Sequence, residues 1–145
     1  MGQVSDILEG KGREVLRIDA SATVYDAIVR MVEGNVGALL VYEGDRLAGI
    51  VTERDYLRRV TLQDRDERTT PVGEIMTPEL VFVGPDASVE ECMAVMTDRR
   101  IRHLPVVTDE REVVGIVSIG DVVKFQSREQ SFQIKYLTEY ISGGR

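Results

Sequence analysis

The stretch Gly49-Ile50-Val51-Thr52-Glu53-Arg54-Asp55 returns 66 residues further on as Gly115-Ile116-Val117-Ser118-Ile119-Gly120-Asp121. In each copy the glycine and its two apolar neighbours end a strand, and the residues after them open a helix. A hydroxyl and a carboxylate three residues apart form a capping box, with Thr52 or Ser118 as N-cap and Asp55 or Asp121 at the third helical position. One copy would be read as a helix cap and nothing more. Two copies add a second reading. A helix N-terminus directs unpaired N–H groups outward, which suits an anionic ligand, and an Asp beside it can accept hydrogen bonds from a vicinal diol.

Working outward, the rest of the chain repeats as well. Ala22, Val24, Met31, Leu39 and Val41 match Ala87, Val89, Met96, Leu104 and Val106 at a constant spacing of 65 residues. The step from 65 to 66 puts one extra residue in the second hairpin loop, where insertions are tolerated. Each half reads strand, helix, strand, strand, helix. Val24, Ala27, Ile28, Met31 and Val32 follow the i, i+3, i+4, i+7, i+8 spacing of a helix that ends at Gly34. Its partner spans Val89 to Arg100, opened by the capping-box pair Ser88 and Glu91. Gly37 to Tyr42 and Arg46 to Val51 flank Glu43-Gly44-Asp45 as a hairpin, and His103 to Val107 with Val113 to Val117 repeat it. The apolar runs Ala38-Leu39-Leu40-Val41 and Pro105-Val106-Val107 are continuous rather than alternating, which predicts strands covered on both faces.

The expected fold class is α/β: two pseudo-symmetric β-α-β-β-α repeats packed as one unit, plus a C-terminal helix. The repeats take residues 4–62 and 72–126, a charged linker 63–71, and a helical tail 127–145. Leu62 to Pro71 is dense in charge without apolar periodicity and reads as a solvated linker or a frayed helix end. In the tail, Ile134, Leu137 and Ile141 fall on one helical stripe and Phe132, Tyr136 and Tyr140 on another. Such a helix packs on the module and on a second chain, or within its own chain alone.

Composition narrows the function. The 145 residues are 43% hydrophobic and 30% charged, ordinary values for a folded soluble domain. Lys and Arg number 18 against 25 Asp and Glu, a net charge of −7 that repels nucleic acid and anionic membranes. No apolar run approaches the ~18 residues of a membrane span, and Met1 to Gly12 lacks the apolar core of a signal peptide. Met1-Gly2 is no myristoylation signal, since Asp6 stands where Ser or Thr is needed. A cytoplasmic location is expected. A single Cys92 excludes an internal disulfide, and a single His103 leaves too few soft ligands for a zinc or iron-sulfur site. Cys92 lies on the stripe Val89, Cys92, Met93, Met96 and reads as a packed core thiol. Gly10-Lys11-Gly12 is too short for a phosphate-binding loop, and no G-x-S-x-G nucleophile turn occurs.

The doubled order of elements, the two glycine-apolar-apolar-Thr/Ser-x-x-Asp strand ends, and Arg102-His103-Leu104-Pro105-Val106 together resemble the tandem CBS-domain pair, the Bateman module named after cystathionine beta-synthase. The resemblance covers nearly the whole chain. It implies that each motif Asp binds ribose hydroxyls, that Thr or Ser supports the ribose or phosphate, and that adenine slips between apolar strands of the opposite repeat. Thr52 and Asp55 would then face Val81, Ile101 and Arg102, while Ser118 and Asp121 would face Leu16, Val36 and Gly37. Phosphates would converge on the cleft between the repeats, where Arg102, His103 and Arg54 are the candidate partners. The repeats are not equivalent. Gly37-Ala38 stands where the second half has Arg102-His103, and Gly120 where the first has Arg54. Asp55, with Arg54 beside it, is expected to outrank Asp121, which lacks a local cation.

The resemblance thus implies a non-catalytic regulatory module that binds an adenine nucleotide, foremost AMP, signals occupancy to a partner protein, and pairs as a homodimer. NAD(H), ADP or ATP, and S-adenosylmethionine share the adenosine that the motif reads. No catalytic cofactor is expected. Two alternatives come from other classes: a protein-interaction module with vestigial sites, and a small enzyme acting on a nucleotide, which would need a positioned base, nucleophile or metal.

Overall fold

The computed structural model describes residues 2–12 and 15–129 of the chain. In chain order these form α1 (Val4–Lys11), β1 (Arg17–Asp19), α2 (Val24–Gly34), β2 (Ala38–Glu43), β3 (Arg46–Thr52) and α3 (Glu53–Tyr56), which continues as a π-helical turn at Leu57–Thr61. A 3₁₀ turn at Val72–Glu74 leads to α4 (Val89–Arg99), β4 (His103–Val107), β5 (Val113–Ser118) and α5 (Ile119–Glu129). The mixed α/β class and the two repeats are as expected. The tail residues Phe132 to Ile141 lie outside the described residues.

Local chemistry sets the element boundaries. Thr23 and Ser88 cap α2 and α4, each accepting from the N–H of the third helical residue, Asp26 or Glu91. Both helices close on a left-handed residue, Asn35 at φ 54° and Arg100 at φ 56°. β2 and β3 pair antiparallel around the Gly44-Asp45 turn, as do β4 and β5.

The second half departs from expectation at its opening strand. In the first half β1 runs parallel to β2 with Ile18 opposite Val41. In the second half this strand is reduced to a single bridge, Val83 to Val106. Two prolines account for the loss. In the first half the N–H of Leu40 donates to the Leu16 carbonyl and that of Ala20 to the Tyr42 carbonyl, at 3.2 and 2.8 Å. The counterparts of Leu40 and Ala20 are Pro105 and Pro85, which have no N–H to give.

A further element, α1, was not expected from the sequence. Its Val4, Ile7 and Leu8 are buried among Val89, Cys92, Met96, Leu104, Val106, Val117 and Val122 of the second repeat. In exchange, Val72 and Ile75 are buried in the first repeat with Ile18, Val24, Leu39, Val41 and Val51. The leading segment of each repeat therefore completes the core of the other. The backbone bonds match: Val4 N–H donates to the Ala87 carbonyl and Ser5 N–H to that of Pro85, as Val72 does to Ala22 and Gly73 to Ala20.

The segment between the repeats is largely exposed but anchored at a few points. Tyr25 N–H donates to the Glu67 carbonyl, the Tyr56 hydroxyl reaches the Glu67 carboxylate at 2.7 Å, and Arg68 stacks over the Tyr25 ring at 4.0 Å. Thr70 is buried, its hydroxyl donating to the Asp66 carbonyl at 2.7 Å. The first N–H groups of α2, on Val24 and Tyr25, are satisfied by the carbonyls of Thr70 and Glu67, which a reading by hydropathy does not reveal.

Candidate functional site

Each glycine-led motif is built in the same way. β3 ends at Thr52, whose N–H donates to Asp55 Oδ2 at 2.9 Å while the Asp55 N–H donates to the Thr52 hydroxyl at 3.3 Å. β5 ends at Ser118 with the same reciprocal pair to Asp121, at 2.8 and 3.1 Å. Both motifs are thus complete capping boxes. The glycines that begin them mark where the opposite repeat crosses. A Cβ on Gly49 would lie 2.6 Å from the Thr77 carbonyl, and one on Gly115 would lie 2.6 Å from Leu8 Cδ2.

The crossing segments also supply partners to the motif carboxylates, and here the two halves diverge. Thr77 forms an antiparallel bridge with Ile50 and its hydroxyl donates to Asp55 Oδ1 at 3.2 Å. At the second motif Lys11, the last residue of α1, donates to Asp121 Oδ2 at 2.6 Å and to the Ile116 carbonyl at 2.8 Å. The same two acceptors, the Asp carboxylate and the carbonyl of the residue after the glycine, are met by a neutral residue in one half and by a cation in the other. The expectation that Asp121 lacks a local cation is corrected: Lys11 comes from the far end of the sequence and no reading of neighbouring residues finds it.

Burial separates the carboxylates further. Asp55 is 8% exposed, and both its oxygens are engaged by Thr52 and Thr77. The Asp121 side chain keeps 21% of its surface open beside Lys11 at 37%. Partial burial pushes the Asp121 carboxyl up, but the hydrogen bonds from Lys11 and Ser118 and the Lys11 charge outweigh it and hold the group below the usual carboxylate range.

The remaining candidates distribute along the line where the repeats meet. The Gly37 carbonyl accepts from Glu53 N–H at 3.1 Å, and the Arg102 carbonyl accepts from Ile119 N–H at 2.9 Å. Gly37 thus sits against its own repeat's motif, and Arg102 against Ser118 and Asp121. The two openings approach each other: a Cβ on Gly37 would lie 2.9 Å from Glu53 Oε1 and 3.5 Å from His103 Cε1. His103 pairs with Ser118 across β4 and β5. Burial pulls its imidazole below the ordinary histidine value, opposed by Glu53 and Asp121 and assisted by Lys11 and Arg102. His103 is therefore mainly neutral at pH 7 and able to donate one ring N–H. Arg54 and Arg102 are exposed, Leu16 borders the first core, and Val81 and Ile101 border the second. Val36 is 38% exposed.

Lys11, Thr77 and Glu53 were missed by the sequence reading. A signal existed: Val4-x-x-Ile7-Leu8 matches Val72-x-x-Ile75-Met76, at a spacing of 68 rather than 65 residues. Cys92 fulfils its expected packing role, fully buried with its thiol pushed up to about 11 by desolvation and Glu91.

Doubled α/β repeats with exchanged leading segments and paired capping-box motifs define a tandem pseudo-symmetric module. The chain belongs to the CBS-domain family, whose profile matches residues 4–62 and again 72–128. It is 45% identical over 150 residues to the mitochondrial CBS domain-containing protein CBSX3 of Arabidopsis thaliana, covering 97% of this chain and 72% of that one. It is 37% identical to the CBS domain-containing protein YhcV of Bacillus subtilis, covering 88% and 90% respectively. Among solved structures, a protein with CBS domains from Burkholderia ambifaria superposes with a TM-score of 0.86 at 48% identity, over 92% of this chain and 99% of that one. A CBS-CP12 protein from bloom-forming cyanobacteria, described as hexameric, superposes at 0.78 with 31% identity, over 92% and 77%. CBS pairs are in general regulatory, ligand-sensing modules rather than enzymes, and they oligomerise. Among the described residues no helix is long and apolar enough to cross a membrane.

Proposed function

We infer that this chain is a non-catalytic sensor that binds an adenine nucleotide, AMP foremost, and reports occupancy to a partner protein. The observation that carries the reading is the second motif. Asp121, partly exposed and ionised, stands beside Ser118, Lys11, Arg102 and His103, a diol acceptor next to a group of phosphate donors. The ligand is held by Asp121 through its ribose and by Arg102 and His103 toward its phosphate, with apolar surface from Leu16 and Val36 available to the base; Val81 and Ile101 would serve a ligand at the first motif. NAD(H), ADP or ATP, and S-adenosylmethionine are the alternative ligands within this reading.

AMP is expected to raise the melting temperature of ligand-free protein. At ~100 times the dissociation constant the added stability is about 2.7 kcal/mol, and at roughly 2–4 °C per kcal/mol the shift is about 5–10 °C. A 2′,3′-dideoxy analogue should give none. An unchanged melting curve with every adenine nucleotide would overturn the sensor reading.

The regulatory form is a homodimer, in keeping with the exposed apolar side chains Val32 at 73%, Leu57 at 55%, Leu62 at 80% and Val123 at 56%. Light scattering should therefore give twice the 16.2 kDa chain mass. A single-chain mass at micromolar concentration would refute it.

A further inference from the structure

We propose that Glu53 is a specificity residue, an acid where the two repeats meet that limits the negative charge of the ligand and favours a nucleoside monophosphate over a di- or triphosphate. The proposal rests on the nucleotide-sensing reading and adds to it a basis of choice among adenine nucleotides. Glu53 opens α3 in the first repeat, and its N–H donates to the Gly37 carbonyl at 3.1 Å. Its carboxylate lies over Gly37, on the side where the second repeat arrives. A Cβ on that glycine would lie 2.9 Å from Glu53 Oε1 and 3.5 Å from His103 Cε1. Gly37 has no positive φ that would demand a glycine. What its missing side chain preserves is the space in which carboxylate and imidazole approach each other. Of the charged groups around His103, Glu53 acts on it most strongly, ahead of Lys11, Asp121 and Arg102.

His103 also belongs to the second motif, through its pairing with Ser118 across β4 and β5. A nucleotide with its ribose on Asp121 and its phosphate on His103 therefore brings that phosphate into the field of Glu53, and each further phosphate adds to the repulsion. The Glu53 side chain is exposed and, among the described residues, its carboxylate takes part in no hydrogen bond or ion pair, so its charge is not already offset within the protein. The device belongs to one half alone. At the pseudo-symmetric position the N–H that meets the Arg102 carbonyl is that of Ile119. Where the first repeat sets an acid over a glycine, the second sets an apolar residue beside an arginine.

The test is calorimetric titration of AMP and of ATP, without divalent cations, into ligand-free wild type, Glu53→Gln and Glu53→Ala at low and at high salt. Circular dichroism checks that each is folded; neither substitution removes a side-chain hydrogen bond, since Glu53 meets Gly37 through its backbone. Wild type should bind AMP more tightly than ATP. In both variants the ratio of AMP to ATP affinity should fall by roughly three- to tenfold at low salt, as expected for removing one exposed charge from the path of two added phosphates. The fall should shrink at high salt, which screens the carboxylate; a steric or purely structural role would not respond in this way. A ratio that is the same in wild type and variants, a change that salt does not diminish, or a wild type that prefers ATP overturns the role of Glu53 and leaves the sensor reading standing. Failure of wild type to bind either nucleotide overturns the sensor reading itself and this inference with it.

Discussion

Leu8→Ala is expected to cost about 2–5 kcal/mol of stability, the range for removing a fully buried leucine from a core that cannot collapse around the gap. Leu8 has no exposed surface and lies in the core of the second repeat, against Gly115. At roughly 2–4 °C per kcal/mol, the midpoint should drop by about 4–20 °C. Leu62→Ala serves as the contrast: Leu62 is 80% exposed, and its truncation should change stability by less than ~0.5 kcal/mol. Thermal and urea unfolding of the two variants decides the matter. Equal, small effects would show that α1 is an appendage; a large effect confined to Leu8 establishes that residues at the start of the chain belong to the core of its second half.

That exchange explains what the sequence could and could not tell. The motif pairs Thr52 with Asp55 and Ser118 with Asp121 were legible because a capping box is local, closed by residues three apart. The helices α2 and α4 were legible because their apolar positions recur through three turns. α1 has only Val4, Ile7 and Leu8 to show in eight residues, and the core they fill is assembled from Val89 to Val122, far along the chain. The missing second-half strand was written in Pro85 and Pro105, but only comparison with the Ala20 and Leu40 bonds gives those prolines their meaning. At the site, the acceptors could be read and their partners could not. Lys11 is separated from Asp121 by 110 residues, and nothing local to Gly120 announces it. Exposure was equally hidden: the two motifs have matching patterns, and only packing buries Asp55 behind Thr77 while leaving Asp121 partly open.

This difference sets the expected result of removing each motif carboxylate. From neighbouring residues alone Asp55, beside Arg54, would rank first as a ligand-binding group. The geometry gives Asp55 a structural task, since its oxygens accept from the Thr52 N–H, the Thr52 hydroxyl and the Thr77 hydroxyl, and it is 8% exposed. Asp55→Ala should therefore lower stability by about 1–3 kcal/mol, the sum of a lost cap and partners left unsatisfied, and should leave AMP affinity within a few-fold of wild type. Asp121→Ala should do the reverse in the binding experiment. It removes an ionised acceptor worth about 1.5–3 kcal/mol per hydrogen bond, which is roughly 10–100-fold in AMP affinity. Its cost to the ligand-free protein should be smaller, because Asp121 is more solvated and its main partner, Lys11, is itself 37% exposed and can return to water. Calorimetric titration with AMP, alongside unfolding of each ligand-free variant, separates the two effects. Tight AMP binding retained in Asp121→Ala and lost in folded Asp55→Ala would assign the ribose to the first motif.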